Sequence, residues 1–313
     1  MSAALSFEQP VPRRLAHRRA AAEVFVCDTA EAGPGEYLAA VQVPRSHLLW
    51  FDRPPEYHDP LGAVEAIRQA LTVIGHRHGG VGDSDPGSLQ RLEFWVEDLG
   101  AFRDAGTPLE GVVRVRRDSN DGGGFFTETG FEARLTVGDV PALTLRASGV
   151  LFPRDAYEEF RRAQRAGRPE PGPGPARPDR PVEPARVGRR DGRNVVVGEP
   201  ESGRVPLLVD QGHPSLFDHP YDHVPGPLML EGFRQAAILT AVAGGLLDAP
   251  ESAPTGAEAE FTGFAELDAP LTIEAAARAG FGGGAEVEVG LEQYGTRIAK
   301  GRVELSAYPG RDA

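Results

Sequence analysis

The stretch PLMLEGFRQAAILTAVAGGLL, residues 227–247, decides the fold class. It is apolar on nearly every side of a helix, and its only strongly polar side chains, Glu231, Arg234 and Gln235, lie near its start. A helix without a polar face must be surrounded. Because Glu231 and Arg234 would be costly at bilayer depth, the sequence predicts a buried helix and no membrane span. With no secretory signal in the first 15 residues, we expect a cytoplasmic protein with no membrane partner.

The same helix motif occurs 166 residues upstream. Glu65-Ala-Ile-Arg68-Gln69-Ala70 aligns with Glu231-Gly-Phe-Arg234-Gln235-Ala236. The register continues without a gap into the preceding loops, where it pairs His47 with His213, Phe51 with Phe217, Asp52 with Asp218 and Pro54 with Pro220. A shared register across both a loop and a helix predicts an internal duplication.

Each half contains the same order of predicted elements: two short strands, a proline-rich loop, a long helix and four more strands. The strands follow from alternating apolar and polar residues that end at Gly or Asp. The first half has predicted strands at 23–28, 37–43, 89–99, 111–117, 125–137 and 142–152, with a helix at 61–78. The second has strands at 194–198, 205–210, 259–267, 271–279, 285–294 and 297–308, with a helix at 227–247. A curved antiparallel sheet around a central helix is the hotdog fold, so the sequence predicts an α+β tandem (double) hotdog.

The composition is consistent with two domains and a linker. At roughly 150 residues per domain, 313 residues correspond to two domains. Seven of the 28 prolines lie between residues 169 and 184, among Gly and Arg. We therefore predict domains at 1–158 and 194–313, joined by a semi-extended linker at 159–193. The net charge of −13 excludes a uniformly basic nucleic-acid binder, and the single Cys27 excludes a disulfide framework.

Histidines concentrate in the two loops that precede the helices. Five of the eight lie there: His47, His58, His213, His219 and His223. In the second loop, Gly226 begins the helix, whose first-turn N–H groups favour a phosphate or a developing oxyanion.

Glu231, Arg234 and Gln235 share one helix face. They either line a pocket or form a buried pair that fixes the helix, and the sequence leaves both interpretations open. Two histidines and two aspartates in the second loop have metal-ligand chemistry. However, Pro220 stiffens this loop, and the first half has Arg53 and Tyr57 where the second has His219 and His223. No metal and no cofactor are predicted.

These motifs resemble the AfsA-type proteins, which carry the A-factor biosynthesis hotdog domain. The resemblance covers most of the chain outside the linker. It rests on Ala16-His17-Arg18, Pro44-Arg45-Ser46-His47, His58-Asp59-Pro60-Leu61, Asp218-His219-Pro220-Tyr221-Asp222-His223-Val224-Pro225-Gly226 and Ala265-Glu266-Leu267-Asp268-Ala269-Pro270.

The resemblance implies an acyltransferase. It would condense a β-ketoacyl group, carried on acyl carrier protein, with the hydroxyl of dihydroxyacetone phosphate, towards a γ-butyrolactone, butenolide or furan signal. The implied catalytic residues are His219, His223, Asp222, Glu231 and Glu65. The implied substrate-binding residues are Arg234, Arg68, Arg53, Gln235, Gln69, Gly226 and His58. In related dehydratases a loop His and a helix acid come from opposite subunits, so His219 faces either Glu65 or Glu231. The chain would be a monomeric pseudo-dimer or a homodimer.

Two other functions remain open. One is a hotdog dehydratase or thioesterase acting on acyl thioesters, because fold does not fix function. The other is a non-catalytic regulatory protein that binds an acyl or butyrolactone ligand. Docking of an acidic carrier protein would need a basic patch, for which the candidates are Arg13, Arg14, Arg18 and Arg19, or the arginines of the linker.

Overall fold

The computed structural model of the chain describes residues 5–52, 56–82, 85–117, 128–168 and 180–309. They divide into two compact units. The amino-terminal unit comprises Met1–Arg45 and Leu61–Arg168, and the carboxyl-terminal unit comprises Ser46–Pro60 and Pro169–Ala313. The loop that precedes the first helix therefore belongs to the carboxyl-terminal unit, which the predicted domain boundaries did not anticipate.

The amino-terminal unit is an antiparallel sheet with one long buried helix. Its elements are β1 (Val26–Gly33), β2 (Glu36–Val43), α1 (Pro60–His78), β3 (Gly87–Val96), β4 (Leu109–Arg117), β5 (Glu128–Val137), β6 (Val140–Leu151) and α2 (Arg154–Ala166). The strand order is β1-β2-β4-β5-β6-β3. Ala66, Ile67, Ala70 and Val73 of α1 are completely buried, which places this helix in the core.

The carboxyl-terminal unit repeats this plan. Its elements are β7 (Arg204–Leu207), α3 (Gly226–Ala243), β8 (Ser252–Phe261), β9 (Leu271–Ala279), β10 (Ala285–Gln293) and β11 (Thr296–Ala307). The strand order β7-β9-β10-β11-β8 corresponds to β2-β4-β5-β6-β3 of the other unit. Helix α3 packs against β9 and β10. Each unit is thus a hotdog fold, and the two occur in tandem as predicted.

Strand alternation sets which side chains face the helices. In β4, Val113 and Val115 are buried, whereas Arg114 and Arg116 between and after them are exposed. In β10, Val287 and Leu291 are buried in the same way. A period of two places one side of each strand in the core and the other in water.

Several predicted boundaries differ from the structure. Helix α3 ends at Ala243, because Gly244 and the left-handed Gly245 (φ +66°) terminate it before residue 247. The strand predicted at 259–267 lies at Ser252–Phe261. The segment predicted as a strand at 194–198 makes only isolated bridges, such as that between Val197 and Leu207.

The predicted linker is structured on both sides of residues 169–179, which lie outside the described residues. Its beginning belongs to α2, and short 3₁₀ turns occupy Pro184–Val187 and Gly192–Asn194. This differs from a semi-extended linker because Arg189, between the two turns, has a completely buried side chain. In the described ranges no helix is long and apolar enough to cross a membrane.

Candidate active site

A buried ionic cluster surrounds Glu231 in the carboxyl-terminal unit. Arg234 Nη2 donates to Glu231 Oε2 over 2.6 Å, and Arg234 Nη1 donates to Asp59 Oδ2 over 2.8 Å. Arg189 Nη2 lies 2.9 Å from Glu231 Oε2. All four side chains are at most 3% exposed. Two cations therefore compensate two carboxylates in a site without water access.

Gln235 connects this cluster to the chain segment that precedes β7. Its Nε2 donates to the Asn194 carbonyl over 2.7 Å and also to Glu231, and its Oε1 accepts from Val196 N over 2.9 Å. One amide side chain thus satisfies buried backbone groups and orients the Glu231 carboxylate.

The amino-terminal unit contains the equivalent cluster around Glu65. Arg18 bonds to Glu65, and Arg68 donates to it through Nε over 2.8 Å and Nη2 over 2.9 Å. Gln69 donates to the Glu23 carbonyl and accepts from Phe25 N, each over 2.9 Å. The same four residue types make the same contacts in both units.

Both clusters hold their members in the charged form. Burial alone would raise the pKa of Glu65, but Arg68 and Arg18 outweigh it and hold that pKa well below its usual range. Burial alone would lower the pKa of Arg234, but the Glu231 and Asp59 carboxylates raise it above its usual value. A carboxylate held ionised cannot donate a proton at neutral pH. This agrees with the second interpretation left open by the sequence, a buried pair that fixes the helix.

Arg189 and Asp59 were missed as partners in the sequence. A signal for Arg189 exists, because Arg18-Arg19 and Arg189-Arg190 stand 171 residues apart, close to the helix offset of 166. The register also pairs Phe25 with Val196, the two residues whose N–H groups bind the glutamines. Since Arg18 is buried, it is not available as part of a docking patch, which corrects that expectation.

His47 and His213 shape their loops. His213 Nδ1 accepts from Ser215 N and Leu216 N over 3.2 and 3.0 Å, and its Nε2 lies 3.0 Å from Asn194 Oδ1. His47 Nδ1 accepts in the same way from the two backbone N–H groups at positions 49 and 50. Both histidines are buried, so they cap turns at matching positions of the repeat.

The loop before α3 carries two further histidines, each beside an aspartate. His223 Nδ1 lies 2.7 Å from Asp222 Oδ1, and His219 Nδ1 lies 3.4 Å from Asp218 Oδ2. The Tyr221 ring lies between them, 4.2 Å from the His219 ring centroid and 6.5 Å from that of His223. Both imidazoles remain partly exposed, at 27% and 23%.

The loop and the start of α3 are fixed by two neighbours. Phe264 packs edge-on against the His223 ring at 4.6 Å, and Val224 N donates to the Ala265 carbonyl over 2.9 Å. Leu228 N and Met229 N donate to the Pro225 carbonyl, and Pro227 has no N–H. Gly226 is therefore the first-turn residue whose N–H suits an oxyanion, a narrower site than the sequence indicated.

The remaining predicted site residues are dispersed. His58 is buried, with its ring 5.7 Å from that of Phe51. Arg53 lies outside the described residues. Arg68 differs from Arg234 in that about a third of its side chain is exposed. Over the described ranges, no three His, Cys, Asp or Glu side chains are arranged to hold a metal ion. The catalytic and substrate-binding assignments of the two clusters and of His58 stay predictions.

Two tandem hotdog units, with a histidine-bearing loop at the start of the second buried helix, define a protein of the hotdog class. The A-factor biosynthesis hotdog domain family (AfsA) matches residues 1–142 and 173–309, and the chain belongs to this family.

Relatives and solved structures agree with this membership. A relative from Streptomyces virginiae is 32% identical over 82% of this chain and 84% of its own length, and one from Streptomyces coelicolor is 30% identical over 76% of each. Both are named 2-oxo-3-(phosphooxy)propyl 3-oxoalkanoate synthase.

Among solved structures, an oleoyl thioesterase from Lactobacillus plantarum has a TM-score of 0.55 at 9% identity, covering 89% of this chain and 99% of its own. A 12:0-ACP thioesterase from Umbellularia californica has a TM-score of 0.51 at 12% identity, covering 88% and 99%. At these identities the likeness shows the fold alone.

Proposed function

We propose that the chain is an acyltransferase that joins a 3-oxoacyl group to the hydroxyl of dihydroxyacetone phosphate. One observation carries the reaction: relatives matched over about four-fifths of the chain bear a name that describes this ester. In that name, 3-oxoalkanoate is the acid, and 2-oxo-3-(phosphooxy)propyl is the dihydroxyacetone phosphate skeleton. The reaction agrees with the activity implied by the sequence motifs.

The donor in this proposal is a thioester on acyl carrier protein, in the cytoplasm. The hydroxyl oxygen attacks the thioester carbonyl carbon, and the carbon–sulfur bond breaks. The hydroxyl proton passes to a base of the enzyme and from there to the departing thiolate. The reaction needs no oxidant, reductant or metal, because it exchanges one acyl acceptor for another.

We assign the base to His223. Its Nδ1 donates to Asp222 at 2.7 Å, which leaves the Nε2 lone pair to accept the hydroxyl proton. The Asp222 carboxylate then stabilises the imidazolium that forms, as the aspartate of a hydrolase triad does. Phe264 limits rotation of the ring.

His219 is the second candidate for the base. Its contact with Asp218 is longer, at 3.4 Å, so its tautomer is less firmly fixed. In the other loop, the matching Asp52 instead bonds to Asn194 and to the backbone N–H groups of residues 190 and 191. An aspartate at this position of the repeat is thus used to hold the loop, which favours His223 as the base.

Two other groups complete the proposal. The Gly226 N–H, at the positive end of α3, would stabilise the thioester oxyanion. Among the arginines predicted to bind phosphate, Arg234 is buried against two carboxylates, whereas Arg68 is partly exposed. We therefore retain Arg68 for the phosphate, together with Arg53 as a prediction from the sequence.

The direct test is product formation with both substrates. Purified chain is incubated with a 3-oxoacyl thioester, with and without dihydroxyacetone phosphate, and products are identified by mass spectrometry. We expect the phosphorylated ester only when both are present. Free 3-oxo acid formed at the same rate in both reactions would instead identify a thioesterase, the activity of the solved structural neighbours. Binding without turnover would identify the regulatory alternative.

A further inference from the structure

Helix α2 (Arg154–Ala166) is an addition to the hotdog plan. It follows β6, the last strand of the amino-terminal unit. The equivalent strand β11 ends at Ala307, and no helix follows it in the described residues, which end at 309. Since the carboxyl-terminal unit completes the same sheet order without such a helix, α2 is not required for the fold.

One side of α2 is fixed to its unit by aromatic packing. The buried Phe152 donates its backbone N–H to the Pro86 carbonyl over 3.0 Å, just before β3. The Tyr157 ring meets Phe152 edge-on at 5.8 Å, and the Phe160 ring stacks on it at 6.0 Å. The buried Arg161 donates to Gln164 Oε1 over 2.6 Å along the same helix. The helix is therefore held in place and does not behave as a free linker.

The other side of α2 combines apolar and cationic side chains in water. Phe160 is 45% exposed and Leu151, at the end of β6, is 41% exposed. They are two of the four exposed large apolar side chains among the described residues. Arg162 and Arg165 are exposed beside Phe160. Residues 160–168 contain four arginines and no acidic residue, although the whole chain has a net charge of −13.

Helix electrostatics explain only part of this pattern. Arginines near a helix C-terminus are stabilised by its dipole, and Arg154 is within 4.0 Å of Glu158 at the other end. Neither effect accounts for an aromatic and a leucine side chain left in water next to the arginines. An apolar centre with a charged rim is the usual composition of a protein interface.

We propose that the α2 face, defined as Leu151, Phe160, Arg162 and Arg165, docks the acyl carrier protein that delivers the acyl group. The inference rests on the proposed function, which requires a carrier-bound donor. Carrier proteins are acidic, so the negative field of this chain opposes their approach. A local cationic patch with an apolar centre overcomes that repulsion, raises the association rate and holds the docked partner.

The experiment compares two donors that carry the same 3-oxoacyl group, one on acyl carrier protein and one on coenzyme A. The variant is Arg162→Glu with Arg165→Glu, and the matched control is Arg114→Glu with Arg134→Glu, which reverses two equally exposed arginines on the sheet of the same unit. We expect the α2 variant to raise KM for the carrier-bound donor by about tenfold or more and to leave coenzyme A turnover unchanged. The control keeps the KM of the unaltered chain for both donors.

A second variant, Phe160→Ser, tests the apolar centre without changing charge and should raise the same KM with less dependence on salt. The proposal is overturned if the α2 variants keep the KM of the unaltered chain for the carrier-bound donor. It is equally overturned if they lose the same fraction of activity on both donors, or if charge reversal at Arg14 and Arg19 alone abolishes carrier use. Failure of the proposed function is seen separately, as absence of ester formation by the unaltered chain with either donor.

Discussion

Arg189 and Glu231 form a buried ion pair of 2.9 Å across 42 residues of sequence, with both side chains completely excluded from water. Arg18 and Glu65 form its counterpart across 47 residues in the other unit. In each case an arginine from the segment before the sheet reaches the carboxylate of the central helix. The pair therefore ties the entry segment to the helix, and a matched glutamine completes the connection.

Removing Arg189 should destabilise the protein far more than removing an exposed arginine nearby. We expect Arg189→Ala to lower the free energy of unfolding by roughly 3–5 kcal/mol, because it leaves the Glu231 charge with one cation fewer in a site without water. The control is Arg186→Ala, whose partly exposed pair with Glu199 should contribute less than about 1 kcal/mol. Urea denaturation measures both. Equal losses would show that the buried pair has no special role.

Glu65 should make the stability dependent on acid pH. Its folded-state pKa is lowered, so its contribution is complete above the pKa of the unfolded chain, about 4.3, and is lost as pH falls. This single carboxyl contributes a slope of at most ~1.4 kcal/mol per pH unit. We expect the difference in unfolding free energy between the unaltered chain and Glu65→Gln to be largest at pH 7 and to shrink towards pH 3. A difference that stays constant over this range would contradict the assignment.

The histidine loop should separate the two candidate bases. We expect His223→Ala to lower kcat by roughly 10²–10⁴, because proton removal from the hydroxyl then depends on water. Asp222→Asn should lower kcat less, since the imidazole remains but is oriented less firmly. His78→Ala, a histidine bonded to Thr29 in the other unit, serves as the control and should keep full activity. If His219→Ala loses more activity than His223→Ala, the role of base belongs to His219.

Gly232 should not tolerate alanine, although alanine is the better helix former. A Cβ at this position would lie 2.4 Å from Leu207 Cδ1 and 3.2 Å from Ile273 Cδ1, and both side chains are buried. We expect Gly232→Ala to cost about 1–3 kcal/mol through overpacking. Gly75→Ala in α1 is the matched control, because its Cβ would meet Val81 at an ordinary 3.5 Å. That variant should be stabilised by up to about 1 kcal/mol, and thermal denaturation compares the two.

The sequence by itself determined the tandem repeat, the two buried helices and most strands. These features depend on local periodicity, since each alternating or helical pattern lies within one continuous segment. It also identified the histidine loop before α3, because the loop motif is continuous along the chain.

Only the tertiary structure decided which groups meet. Arg189 stands in a segment whose composition predicts a linker, and Asp59 lies before the other helix, yet both belong to the Glu231 cluster. The partner of a buried charge depends on how distant segments pack, because desolvation forces each charge to find compensation wherever the fold brings an opposite group. For that reason the structure favours a structural role for Glu231 and Arg234, which the sequence left undecided between a pocket and a buried pair.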